Sequence, residues 1–168
     1  MLFLQTKSLL LRSVEAKDVV VMYDYRNNPI CARYQRGQSK SRADIENLIK
    51  QHKDDVMQIN SAFFIALAEA VNNEMIGEIV VMPNGSVINL GYTISYRYHR
   101  RGYAFEALTA LIFVFQEKYP EHTLVCLTDP NNQPSMALLK KLDFTDSGYM
   151  PEITSQIFKK RKHKPVQN

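Results

Sequence analysis

"VINLGYTISYRYHRRGYAFEAL", residues 87–108, decides the fold because its period changes in mid-course. From Val87 to Ser95 the apolar and β-branched residues read as a strand. From Gly102 to Lys118, Leu108, Leu111, Ile112 and Phe115 follow at i, i+3, i+4 and i+7, the spacing of one helix face. His99, Arg100, Arg101 and Gly102 lie between. A strand that passes into a long helix through a basic loop outlines an anion site. The first turn of a helix leaves its N–H groups unpartnered and carries about half a positive charge. Gly102 has no Cβ to hold a ligand off. Neither GxxxxGK[ST] nor GxGxxG occurs in the chain, which excludes the usual nucleotide loops.

Working outward, strands are expected at Ala62 to Ala68 and Met75 to Met82, separated from each other and from Val87 by "EAVNNE" and "PNGS", both rich in turn formers. Three strands joined this closely predict an antiparallel meander. Upstream, "LLLRS" at 9–13 reads as a strand. Ala16 to Asn27 reads as a helix with Val19, Met22 and Tyr23 on one face, ended by Asn27, Asn28 and Pro29. A second helix opens with Ser41 and Asp44 in the manner of a capping box and keeps Ile45, Leu48, Ile49 and Val56 at helical spacing to about Gln58. Downstream, "TLVCL" at 123–127 reads as a buried strand, Pro134 starts a helix to Leu142, and "FTDSGYMPEITSQIFKK" reads as two short strands. Residues 1–158 form one domain on this reading, and 159–168 a basic tail.

A chain of 168 residues with 45% hydrophobic and 23% charged residues is ordinary for one soluble domain. Its net charge of +4 is unevenly placed. "KKRKHK" at 159–164 carries five cations and no acid, leaving sixteen basic against seventeen acidic residues elsewhere. Such a tail suits a weak contact with nucleic acid or an acidic partner, or is simply solvated; no aromatic is interleaved for base stacking. The N-terminal apolar run is broken by Gln5, Thr6 and Lys7, unlike a signal peptide. No apolar stretch approaches the roughly 20 residues of a membrane span, so a cytoplasmic protein without membrane contact is expected. Cys31 and Cys126 read as two buried free thiols, with no CxxC and no metal site.

"HRRGYA" at 99–104, followed about thirty residues later by "DPNNQPSMALLKKLDF" at 129–144, resembles the GNAT N-acetyltransferase family. The family's loop has the form Q/R-x-x-G-x-G/A; His99 departs from it at the first position. In the later segment Ser135 stands where many members carry alanine, Leu139 where they carry tyrosine, and Asp143 where they carry glycine. That exchange looks like the RimJ/RimL branch, which acetylates N-terminal amines of ribosomal proteins and related substrates. "TKSLLLRSVEAKD" at 6–18 and "GYTIS" at 91–95 are also similar to that branch.

The resemblance implies a mixed α/β fold: a twisted, mostly antiparallel sheet with helices on both faces. It implies acetyl-CoA as acetyl donor, its pyrophosphate on the N–H groups of Arg101, Gly102, Tyr103 and Ala104 with help from the side chains of Arg100 and Arg101. The pantetheine arm would run along the edge of Gly91 to Ser95, Ile94 included, where this strand and Thr123 to Leu127 splay apart. Asn132 would bond that arm, or else cap its own helix. A backbone N–H near Tyr92 would meet the developing oxyanion. Ser135 would protonate the departing thiolate, or else only pack in the first turn. Glu78, alone in the apolar "IGEIVVM", is the expected base; an exposed strand face explains it equally well.

The acceptor, a protein N-terminus or a small-molecule amine, would be framed by Arg26 to Arg36 and Gly148 to Thr154. Tyr34, Tyr149 and Met150 are available as lining. The expected function is acetyl-CoA-dependent N-acetylation by direct amine attack in a ternary complex, by a monomer or homodimer. A silent CoA-binding module tethered to RNA or an acidic partner through the tail is the alternative.

Overall fold

In β3 (Phe63–Glu69) successive side chains leave the sheet on opposite sides. Phe63, Ile65 and Leu67 enter one apolar layer with α4 (Tyr103–Lys118) and α5 (Gln133–Lys141), whereas Phe64 and Ala66 enter another with α1 (Val19–Asn27) and α3 (Arg42–His52). The alternation therefore builds a sheet with helices on both faces. The structure, a computed structural model, describes residues 1–162; the rest of the expected tail lies outside the described residues.

Beside β3 stand β1 (Leu2–Gln5), β2 (Leu9–Arg12), β4 (Met75–Asn84), β5 (Val87–Ile94), β6 (Thr123–Thr128), β7 (Thr145–Met150) and β8 (Ser155–Lys160), in the order β1-β2-β3-β4-β5-β6-β8-β7. The expected meander is present as β3, β4 and β5, each antiparallel to the next. Only β5 and β6 run parallel, because α4 carries the chain back across the sheet between them. Gly77 in β4 permits the close approach to β5: a Cβ there would stand 2.3 Å from the Thr93 carbonyl oxygen. Leu108, Leu111, Ile112 and Phe115 of α4 are buried, as their spacing predicts, each worth roughly 1.5–3 kcal/mol.

Several boundaries differ from the sequence reading. A short 3₁₀ turn (Ala16–Asp18) precedes α1, whose buried face is Val19, Met22, Tyr25 and Arg26, while Tyr23 points outward. Asn28 does not simply end that helix: its side chain accepts from Ile30 N–H and opens α2 (Pro29–Ala32), with Pro29 where a missing N–H costs nothing. The third helix stops at His52, so Val56 lies beyond it and is exposed. β8 runs on to Lys160, pairing Lys159 with Val125 and Lys160 with Leu124. Arg161 donates to Thr123 Oγ1 at 2.9 Å, and Lys162 pairs with Glu117 at 2.6 Å. Among the described residues no helix is long and apolar enough to cross a membrane.

Candidate active site

The two parallel strands touch over only three rungs, Val87 with Thr123, Ile88 with Leu124 and Asn89 with Val125. Past Asn89, β5 stays on β4 and β6 follows β8, so the strands part where the splay is expected. Ser95 N–H donates to Ile76 O at 2.8 Å, toward β4. The alternation of a strand then turns the N–H and C=O groups of Tyr92 and Ile94 the other way, into the opening. Side chains occupy both carbonyls: Gln35 Nε2 donates to Tyr92 O at 3.3 Å, and His99 Nε2 lies 2.7 Å from Ile94 O, with Cys31 Sγ 3.4 Å from the same oxygen. The N–H groups of Tyr92 and Ile94 meet no acceptor among the described residues.

At the end of this opening the chain turns into α4. Arg100 and Gly102 adopt left-handed φ values of 61° and 77°, a bend that glycine makes without penalty. The backbone N–H groups of Arg101 to Phe105 meet no acceptor among the described residues, the first helical bond being Glu106 N–H to Gly102 O. A cluster of free donors at a helix N-terminus follows. Arg100 and Arg101 are both exposed, and the Arg101 guanidinium stacks 5.2 Å from the Tyr98 ring centre. His99, the residue that departs from the family loop, turns back onto the strand edge. Glu106 faces the other way, accepting from Thr6 Oγ1 and from Ser8 N–H at 2.7 Å, which ties α4 to the β1–β2 turn.

Across the opening, Asn132 caps α5: its Oδ1 accepts from Ser135 N–H at 3.2 Å. The cap reading of Asn132 is therefore present, with its amide NH₂ left over. Ser135 Oγ lies 2.7 Å from the phenol oxygen of Tyr92. Burial pushes that phenol's pKa well above its ordinary value, only partly offset by the serine. The sequence reading chose Tyr92 for its backbone N–H alone and missed the phenol, since residues 43 apart can be paired only once the strand order is known. Leu139, one turn after Ser135, is buried in the core. Both cysteines are free and buried, and burial pushes the Cys126 thiol up to about 12.

On the opposite face of the sheet, Glu78 of β4 is neither lone nor exposed, contrary to the premise of the sequence reading. Its carboxylate is 1% exposed and accepts from Arg26 at 2.6 Å, Tyr25 at 2.7 Å and Gln38 at 3.3 Å. Gln38 Nε2 also donates to Thr93 Oγ1 at 3.0 Å. The segment 33–40 thus lies against β5, and Arg36 carries it across the opening. The Arg36 guanidinium reaches Asp129 Oδ2 at 3.0 Å, Ile153 O at 2.8 Å and Thr154 O at 2.9 Å. That contact joins the two stretches expected to frame the acceptor. Tyr34 is half-buried under the Arg33 guanidinium, while Tyr149 and Met150 are exposed on β7. Among the described residues no three His, Cys, Asp or Glu side chains gather as metal ligands.

Residues 8–145 match the family described as acetyltransferase (GNAT) domain. The chain is 25% identical to the uncharacterized N-acetyltransferase YnaD of Bacillus subtilis over 146 residues, 86% of this chain and 83% of that protein. It is 34% identical over 93 residues to the [ribosomal protein uS5]-alanine N-acetyltransferase of Escherichia coli, a match that spans 53% of this chain and 48% of that one. Among solved structures the fold is similar to the ribosomal L7/L12 α-N-protein acetyltransferase RimL in complex with coenzyme A, with TM-score 0.80, 15% identity, and 96% and 98% of the two chains covered. It is also similar to a GNAT-family acetyltransferase from Bacillus anthracis, with TM-score 0.79, 20% identity, and 94% and 95% covered.

Proposed function

Since the chain belongs to the GNAT acetyltransferase family and is a transferase by that membership, we propose that it moves the acetyl group of acetyl-CoA onto a primary amine, with a protein N-terminus as the acceptor class. The observation that carries this reading is the pair of free N–H groups on the edge of β5 leading to the free donors of α4. Strand N–H groups without acceptors and a nest of N–H groups in line suit an amide-bearing arm that ends in a pyrophosphate. Residues Arg101 to Ala104 and Arg100 hold the anion, and Ile94 holds the arm through its N–H group. Asn132 has its NH₂ available to the same arm.

When bound, acetyl-CoA supplies the acetyl group as a thioester. The Tyr92 N–H points into the opening and stabilises negative charge that develops on the acetyl oxygen as the amine adds. Ser135 Oγ–H serves the departing sulfur from the α5 side. The amine enters from the side closed by residues 33–40, walled by Tyr34 and, at the far side of the Arg36 contact, by Tyr149 and Met150. Glu78 is held by Arg26, Tyr25 and Gln38 on the α1 side of the sheet, away from Tyr92 and Ser135; we assign it the seating of Gln38 against Thr93 and not the amine's proton. The protein-acceptor reading leans on the likeness to the Escherichia coli enzyme that acts on ribosomal protein uS5.

Thiol release from acetyl-CoA, measured against peptides with free N-termini and against a panel of small amines, tests this. Faster release with peptides is expected. Release only with small amines overturns the acceptor class, and CoA binding without release from any amine overturns the enzyme reading.

A further inference from the structure

The hydroxyl pair Tyr92–Ser135 is built from two elements that the splay separates. Tyr92 sits on β5 beyond the last rung shared with β6, and its ring lies in the layer of α4 and α5. Ser135 sits in the first turn of α5, where Asn132 already takes its N–H. The 2.7 Å contact is therefore the polar link across the mouth of the opening on this face. Beyond it, Ser135 Oγ meets no polar partner among the described residues. A phenol is a far stronger acid than an aliphatic alcohol, so it is the better donor of the two. A serine oxygen that accepts one hydrogen bond keeps its own hydrogen for a second acceptor.

We propose that Tyr92 is a positioning residue for the leaving group: its phenol donates to Ser135 Oγ and so turns the serine's own hydrogen toward the sulfur of the bound thioester. The inference rests on acetyl-CoA occupying the cleft. Ser135 then offers a directed hydrogen bond as the C–S bond breaks and the electron pair moves onto sulfur. The phenol keeps its proton throughout, in line with burial raising its pKa. The thiolate takes its proton afterwards from water, and the proton lost by the amine as the amide forms goes to water, so that the exchange balances. The buried Leu139 leaves no second hydroxyl one turn further along α5, so this serine has no helper on its own helix and is oriented from the strand.

Tyr92→Phe removes the hydroxyl and keeps the ring. With unchanged melting temperature as the check on folding, kcat should fall by roughly tenfold, the worth of one hydrogen bond, while KM for acetyl-CoA stays the same. In the Ser135→Ala background, Tyr92→Phe should change kcat by less than about twofold, because the phenol acts only through the serine. Equal losses in both backgrounds overturn the inference, as does a rise in KM with kcat unchanged. A crystal structure with CoA gives a reading independent of any acceptor. Tyr92 bonded to Ser135, with Ser135 Oγ in hydrogen-bond reach of the sulfur, supports the proposal. Tyr92 bonded directly to the sulfur, or Ser135 turned away, overturns it alone. Failure of CoA to bind by calorimetry overturns the cofactor reading and this inference with it.

Discussion

Arg26 and Glu78 meet at 2.6 Å with side chains 2% and 1% exposed, one from the inner face of α1 and the other from the middle strand of the meander. A buried pair of this kind is weak evidence of net stabilisation, since desolvation offsets much of the attraction, but removing one partner strands the other charge. Arg26→Ala should therefore cost about 3–5 kcal/mol in urea unfolding, and Arg26→Ala with Glu78→Ala clearly less than the sum of the single changes. Additive losses would show that the two side chains act separately.

Gly102→Glu should abolish CoA binding and leave the fold intact. A Cβ at Gly102 meets nothing within 4 Å, so the cost is the left-handed backbone, roughly 1–2 kcal/mol, and not a clash. The added carboxylate repels a pyrophosphate and competes for the same N–H groups. Gly102→Asn, which tolerates a left-handed φ, is the control and should keep most of the affinity. Calorimetric titration with CoA decides it: equal affinity in the Glu variant would remove this loop from the cofactor site.

Cutting the chain after Lys162 should leave turnover within about tenfold, or 1.4 kcal/mol in the barrier. A cut after Phe158 removes the rungs from Lys159 to Val125 and from Lys160 to Leu124, together with the Arg161–Thr123 bond. The second truncation should lower the melting temperature by several degrees, while the first should not. Equal melting temperatures would mean that the end of β8 contributes nothing to the sheet.

The meander and α4 were legible because each is written locally: an alternating or 3.6-residue period, turn formers between strands, and a glycine at the handover; the splay was expected from the family resemblance alone. The partners of Glu78 were not. An isolated carboxylate in "IGEIVVM" looks alone until α1 is folded over it, and the face of α1 was misjudged by choosing Tyr23 where Tyr25 and Arg26 turn inward. The Tyr92–Ser135 contact was hidden for a related reason, since it needs the parallel return of β6 beside β5 before α5 can reach the strand. Pro29 was read as a stop, although Asn28 caps a further short helix through it.

Arg36 ties segment 33–40 to the far side of the opening. It binds Asp129 just after β6 and the carbonyls of Ile153 and Thr154 between β7 and β8, so it holds segment 33–40 over the side proposed for the acceptor. Arg36→Ala should raise KM for the amine about tenfold, equal to roughly 1.4 kcal/mol, with CoA affinity unchanged. Arg36→Lys should not restore it, because an ammonium with three donors cannot replace a fork that reaches five acceptors, Asp129 Oδ2, Ile153 O, Thr154 O, Thr154 Oγ1 and Ser155 Oγ. Asp129→Asn should cost less, since the two carbonyl contacts survive. The pH dependence follows from the carboxyl, whose pKa is held below its ordinary value by the Asn131 N–H first and then by Arg36. A depressed folded pKa gives a contribution that is complete above the ordinary aspartate pKa and is lost as pH falls through the lower, folded value. The contact should therefore be intact across neutral pH, and the ratio of KM values between wild type and Arg36→Ala should be flat from about pH 5.5 to 8, above the range in which aspartate titrates. An unchanged KM for the amine in Arg36→Ala would show that segment 33–40 does not wall the acceptor site.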